Sequence, residues 1–213
     1  MTDSTMMKPG EGQEGYSALR FAVQQMLSKV QTATLVKVVS VTNAGGVSPV
    51  GFVDVQPLVN ILDAAGNGYK RGVLHNLPYL RIQGGADAVI LDPKAGDIGI
   101  AVFASRDIST VKQTRARANP GSWATHSESD GMYLGGVLNG VPSQWIRFSD
   151  EGIEIHSPIA IKLNAPVIEF TGNVQVDGNV GVNGSLLNNG TNVGSTHVHG
   201  GIQPGSSNTA TPH

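Results

Sequence analysis

In Gly172-Asn173-Val174-Gln175-Val176-Asp177-Gly178-Asn179-Val180-Gly181-Val182-Asn183-Gly184-Ser185-Leu186 a Val-x-Val pair and a glycine return every six residues. Side chains two apart on an extended backbone point to one face, so each unit offers one small apolar rank followed by a turn. Glycines at 172, 178, 184 and 190 keep the period of six. Upstream the interval is longer: Ile153 and Ile155 are followed eight residues later by Ile161 and Leu163, and Ser157-Pro158 at the same distance by Ala165-Pro166. Ile168 and Phe170 then lead into the shorter rhythm. Short strands separated by turns at a fixed interval predict β-helical stacking, in which successive units share one continuous core.

A single Val-x-Val pair per repeat cannot enclose a core within one chain. The spacing therefore predicts an intertwined triple-stranded β-helix in a homotrimer, each chain supplying one face, with cyclic closure leaving no sheet edge open along its length. The contraction from eight residues to six predicts a taper. Six-residue repeats also build the left-handed single-chain β-helices of acyltransferases, but the few strict units here amount to about one coil of such a solenoid, too little for a stable domain.

Directly after the repeat comes Gly194-Ser195-Thr196-His197-Val198-His199-Gly200-Gly201. In a strand His197 and His199 share a face, so two imidazoles from each of three chains would converge on the axis. Imidazole suits iron, zinc, nickel and copper, yet six nitrogens exceed the four that zinc normally takes. Octahedral ferrous iron, nickel or cobalt fits that count better. A filled shell leaves no open position for a water nucleophile, so the expected ion is structural. His75, His126, His156 and His213 are isolated and read as surface or structural histidines.

Toward the N-terminus the period changes twice. Leu19, Ala22, Val23, Met26, Leu27 and Val30 fall on one helical stripe with Ser17 placed to cap it, which predicts a short amphipathic helix over 17–30. Packing on its own domain is the expectation, and docking on a neighbouring subunit the alternative. From Thr32 onward alternation takes over. Strands are predicted over 34–41, 51–55, 72–76, 79–82, 88–91 and 98–103, joined by Gly, Asn and Asp turns such as Asn43-Ala44-Gly45-Gly46. So many short strands in so little chain predict a small closed barrel. Residues 105–129 read as a polar connector with a turn at Asn119-Pro120-Gly121, followed by short β segments over 131–140 and 144–148.

The expected fold is thus all-β with a short N-terminal helix. Residues 1–30 form the arm and amphipathic helix, 31–110 an OB-like (oligonucleotide/oligosaccharide-binding-type) β-barrel, and 111–150 a connector with short β segments. The trimeric β-helix shaft takes 151–193, and the metal-binding apex and polar tail take 194–213. Composition narrows the function. A net charge of -2 gives no reason to expect a nucleic-acid partner, and cysteine is absent, which excludes disulfides and thiolate chemistry. No run of 18 apolar residues is long enough for a membrane-spanning helix, and residues 1–15 lack the apolar centre of a secretory signal, so synthesis in a cytoplasm is expected.

The apex run Gly194 to Pro204, the polar tail Gly205 to His213, and the stretch Arg71 to Asp107 with Leu77-Pro78, Gly96-Asp97 and Phe103 together resemble the central spike, or baseplate assembly protein V, family of contractile-tailed phages. The branch resembled carries an OB-type barrel ahead of the shaft. The resemblance implies a homotrimer on the baseplate hub, barrels toward the tail tube and needle outward, at the distal tip of the virion. Sheath contraction would drive this tip through the host outer membrane. His197 and His199 would be ligands of one structural iron per trimer; calcium and chloride occur inside some family shafts, and no ligands for them are assigned here. A bacteriocin or secretion-like particle could carry the same spike.

Two other functions compete with this one. Asp150, Glu151 and Glu154 form a carboxylate cluster of the kind a cell-wall-degrading spike would use, but glycosidases need two carboxylates about 5–10 Å apart across a cleft, and the narrow repeat suggests none. They read as solvated residues at the shaft base, and no enzyme activity is expected. A glycan- or receptor-binding adhesin would need an aromatic-rich face, whereas Tyr69, Tyr79 and Phe103 read as core or edge packing.

Overall fold

β-Branched residues at alternate positions organise the first part of the chain, and glycine-punctuated pairs the second. The computed structural model describes residues 13–63, 65–194, 200–201 and 205 and divides into two units, Met1–Ser143 and Gln144–His213. The first unit begins with helix α1 (Gln13–Leu27) and strands β1 (Ala33–Val41), β2 (Phe52–Pro57), β3 (Ile61–Leu62) and β4 (Gly68–Tyr69). It continues through β5 (Leu74–Pro78), β6 (Ile82–Gly84), β7 (Asp87–Val89), β8 (Ile98–Phe103), helix α2 (Ser109–Thr114) and β9 (Gly131–Gly136). The second unit contains β10 (Trp145–Ser149), β11 (Gly152–His156), β12 (Leu187–Asn188) and β13 (Thr191–Asn192).

Five strands form one antiparallel sheet in the order β5-β2-β1-β8-β9. Register is set by alternation: Val38 faces Val55 across β1 and β2, while Leu35 faces Ile100 across β1 and β8. Inward positions Val36, Val38, Val53, Val55, Leu77, Ala101 and Tyr133 are almost wholly buried. The sheet curls until its two edges touch. Tyr79 and Tyr133 make a parallel bridge, and the Leu80 amide donates to the Tyr133 carbonyl at 2.8 Å.

Strand β9 is where sequence and structure differ most in this unit. Residues 131–136 read as a β segment of the connector, yet they pair along β8 and contribute Tyr133, the largest fully buried side chain. Twenty-seven residues separate the two strands (Phe103 to Gly131), and three glycines dilute the apolar signal of β9. Two of the glycines answer to local geometry: a Cβ on Gly131 would lie 2.9 Å from Leu77 Cδ2, and Gly135 takes φ +127°; on the facing strand, a Cβ on Gly99 of β8 would collide with the Gly135 carbonyl and the Tyr133 ring. Gly99→Ala is therefore expected to destabilise the sheet by about 1–3 kcal/mol through overpacking. Urea unfolding followed by tyrosine fluorescence measures it, and an unchanged midpoint would contradict the fit of Tyr133 against Gly99.

Three smaller differences concern local structure. The strand expected over 72–76 is shifted to β5, running on through the buried Leu77, while of 79–82 only the Tyr79 bridge and Ile82 at the start of β6 pair. The helix begins at Gln13, which places Ser17 inside it rather than at its cap. The expectation that this helix packs on its own domain is not met: Leu19, Val23, Met26 and Leu27 are all exposed. The connector contains helix α2, closed by Arg115 at φ 52°. It is tied to the sheet through buried Asp130, whose carboxylate accepts from the Ile108 amide at 3.0 Å.

In the second unit, β10 and β11 form a hairpin with Ile146 opposite Ile155 and Phe148 opposite Ile153. Its turn is Asp150-Glu151, followed by Gly152 at φ +124°. A second hairpin joins β12 and β13 through Asn189-Gly190, both at positive φ as a two-residue I′ turn requires. The glycine at 190 therefore makes a hairpin turn, a role the six-residue period does not announce. Between the hairpins, residues 157–186 contain no strand.

Candidate functional site

Over residues 157–185 the backbone makes no hydrogen bond to another backbone group among the described residues, and Leu186 accepts one from the Val193 amide at 2.8 Å. The apolar members of the repeat are uncovered in the chain: Ile159, Ile161, Leu163, Val167, Phe170 and Val174 are all more than half exposed, and Val176, Val180, Val182 and Leu186 are close to it or beyond. Apart from the Ile159 and Ala160 amides, which donate to Ser157 Oγ at 3.4 Å, a backbone without backbone partners beside an apolar series is a surface built for strand pairing. The spaced glycines add a second sign. At Gly172, Gly178 and Gly184 no left-handed φ is adopted and an added Cβ would meet nothing within 4 Å. Nothing inside the chain calls for glycine at these three places.

The expected ligands His197 and His199 lie outside the described residues. The expectation of a structural iron, and with it calcium in the shaft, is corrected: no group of three or more His, Cys, Asp or Glu able to hold a metal ion exists among the described residues, and the chain has no cysteine. The physical reason is dispersal. His156 stacks on Trp145 with ring centroids 4.2 Å apart, and His75 Nδ1 lies 3.2 Å from the Asp54 carboxylate. Along the shaft the polar side chains are chiefly Asn, Gln and Ser, with single charges between them.

The three carboxylates at the shaft base are also set apart. Glu154 pairs with Arg147 across the hairpin at 2.6 Å, while Asp150 and Glu151 occupy the turn. Of the aromatics, Tyr79 and Phe103 are in the core as expected, whereas Tyr69 is 59% exposed. Missed by sequence reading was a buried polar network at the edge of the sheet. The Asp92 carboxylate accepts from Arg81 at 2.6 Å, from Tyr79 Oη at 2.7 Å and from the Gly45 amide at 3.2 Å. Arg81 also donates to the Ser48 carbonyl at 2.5 Å, so the pair holds the 43–50 loop in place. Its residues are scattered along the sequence, and no motif announces them.

Several carboxyls have folded-state values below the ordinary one, each for a local reason. Hydrogen bonds from Ser109 and Ser122 bring Asp107 down to about 2. Asp54 is lowered chiefly by the Asn76 amide, with burial opposing and His75 and Ser40 assisting. Burial alone would raise Asp92, but Arg81 and Tyr79 together hold it low. All three bind fewer protons folded than unfolded in the window below the unfolded value of about 3.9. Their stabilisation is complete above about pH 4 and is lost as pH falls through the folded values. A thermal midpoint falling between pH 4 and 2 is expected, with Asp107→Asn flattening the lower end; a midpoint rising toward pH 2 would contradict the assignment.

The sequence matches no protein-family model and no curated protein at a significant level.

Proposed function

We propose that the chain is one third of a rigid, non-enzymatic piercing spike at the distal tip of a contractile tail, mounted on the baseplate hub and tail tube and driven through the host outer membrane when the sheath contracts. Homotrimerisation follows from the repeat, and residues 151–193 are the shaft. The observation that carries this reading is the absence of backbone–backbone pairing over 157–185, among the described residues, beside its exposed apolar ranks. Two identical neighbours would supply the missing hydrogen bonds and cover the valines, and glycines at 172, 178 and 184 would leave room where chains cross. The curled sheet is read as an OB-type barrel because its strands, counted in chain order as β1, β2, β5, β8 and β9, run first-second-third on one side and first-fourth-fifth on the other, with a parallel bridge between the third and fifth.

Function here depends on stiffness. Pulling one chain from an interwoven shaft breaks its inter-strand hydrogen bonds and exposes the shared apolar core together, so the object resists both bending and fraying. Multi-angle light scattering on the full chain is expected to give three times the monomer mass. Particles whose spike ends after residue 156 are expected to contract without releasing a periplasmic reporter. A monomer, or full release by the truncated particles, would overturn the reading.

A baseplate adhesin is the second reading, favoured by Trp123, which is 98% exposed on the connector. Binding on a glycan array that disappears with Trp123→Ala would support it over piercing.

A further inference from the structure

We propose that the β10–β11 hairpin is a trimerisation element in its own right, its apolar face packing against the same face of two further copies of this chain. The inference rests on the trimeric reading above and adds where assembly is anchored.

The register decides which side chains share a face. Directly opposed residues and residues two apart point the same way, so Ile146, Phe148, Ile153 and Ile155 stand together. They are 63%, 76%, 68% and 53% exposed. The opposite face carries the Trp145–His156 ring stack and the Arg147–Glu154 ion pair, whose two charges meet each other within the hairpin. Such a two-stranded ribbon with four bare large side chains is marginal by itself in water. The face needs a cover.

The occupant is narrowed by chemistry and by continuity. The charges of its two strands, Arg147 and Glu154, lie on the other face and pair with each other, and Asp150 and Glu151 are confined to the turn, so on this face only an apolar surface fits. Strand β11 runs directly into the repeat, and the apolar series continues from Ile155 through Ile159, Ile161 and Leu163 in the same unit. Whatever covers the repeat is therefore delivered to the hairpin as well. Copies of this chain bring two matching ranks, Ile146 with Ile155 and Phe148 with Ile153, and a threefold arrangement lets all three faces meet at one axis. Tight turn geometry lets the hairpin form locally before residues 157–185, which have no backbone pairing of their own. The hairpin then sets the register in which the three shaft chains start.

The test uses the absence of native cysteine. In the full chain, Phe148→Cys places one thiol on the proposed inner face, and Ser149→Cys places one on the outer face as control. A disulfide requires Cβ atoms about 3.5–4.5 Å apart, so mild oxidation is expected to link Phe148→Cys chains in pairs at least tenfold faster than Ser149→Cys chains, independently of protein concentration. Equal rates in a protein that is still trimeric would overturn the hairpin's role and leave the shaft reading intact. A monomeric wild type would overturn the trimeric reading itself. As a second measure, Phe148→Asp is expected to raise at least tenfold the protein concentration below which trimers dissociate. Unchanged dissociation would also sink the proposal.

Discussion

Val176→Asp combined with Val182→Asp is expected to convert a trimer into monomers while leaving the sheet of the first unit folded. Each valine is about half exposed in the single chain. Covering it completely in a shared core would contribute a fraction of the roughly 1.5–3 kcal/mol that full burial of such a side chain supplies. Substitution removes that contribution from two ranks in all three chains. It also places like charges around one axis, where an unpaired ion in an apolar setting costs several kcal/mol. Together these losses are comparable with the whole stability of an ordinary domain. Sedimentation velocity reads the mass, and near-ultraviolet circular dichroism of the buried tyrosines reads the sheet. Retention of the trimer would mean that these ranks are not the shared core.

Asp92→Ala is expected to produce the largest loss within the first unit. The Arg81 and Asp92 side chains are 3% and 2% exposed, and the pair ties the end of the sheet to the 43–50 loop through Ser48 and Gly45. Breaking a buried ion pair by removing one partner costs about 3–5 kcal/mol, because the other charge stays buried alone. Here the stranded guanidinium already has an Nε without a partner, so little remains to compensate. A thermal midpoint about 10 °C lower is expected on the usual scaling for a domain of this size. Replacing both members with apolar residues of similar volume, Arg81→Met with Asp92→Leu, should restore most of the loss, since burying the pair itself carries a large desolvation cost. A double variant as unstable as the single one would show instead that loop attachment, rather than the unpaired charge, is what matters.

Legibility in the sequence follows the range of the interactions involved. Strands β1, β2 and β8 stood out because Val36 and Val38, Val53 and Val55, and Ala101 and Phe103 alternate with half-buried or exposed neighbours, a period visible within one strand. Helix α1 is visible for the same reason, although it begins at Gln13, ahead of the apolar stripe that marks it. Strand β9 was legible as a β segment, but its place in the sheet was hidden because its burial comes from partners far away in sequence: Tyr133 is enclosed by the closure against Tyr79, and Gly131 lies against Leu77 and Phe103. The hairpin at 187–192 was absorbed into the glycine period, although Asn189-Gly190 carries its own turn chemistry. The Arg81–Asp92–Tyr79 network was invisible because a buried ion pair is a property of proximity, and neither residue type nor spacing predicts it.

By itself the sequence determined the rhythm: alternation in the sheet, the amphipathic stripe of α1, and the six-residue return of glycine and valine through 172–186. These are set by backbone periodicity, which each short segment carries within itself. The tertiary structure alone decided which strands close the sheet, that the curl ends at the Tyr79–Tyr133 bridge, and that the buried polar network pins the 43–50 loop. It also decided that Ile146, Phe148, Ile153 and Ile155 share one face, since cross-strand register depends on where the Asp150-Glu151 turn falls. In the repeat the two levels meet: the pattern in residues 172–186 asks for partners, and the chain folded alone leaves the backbone of 172–185 without backbone pairing, because two Val-x-Val pairs have too few neighbours of their own to bury.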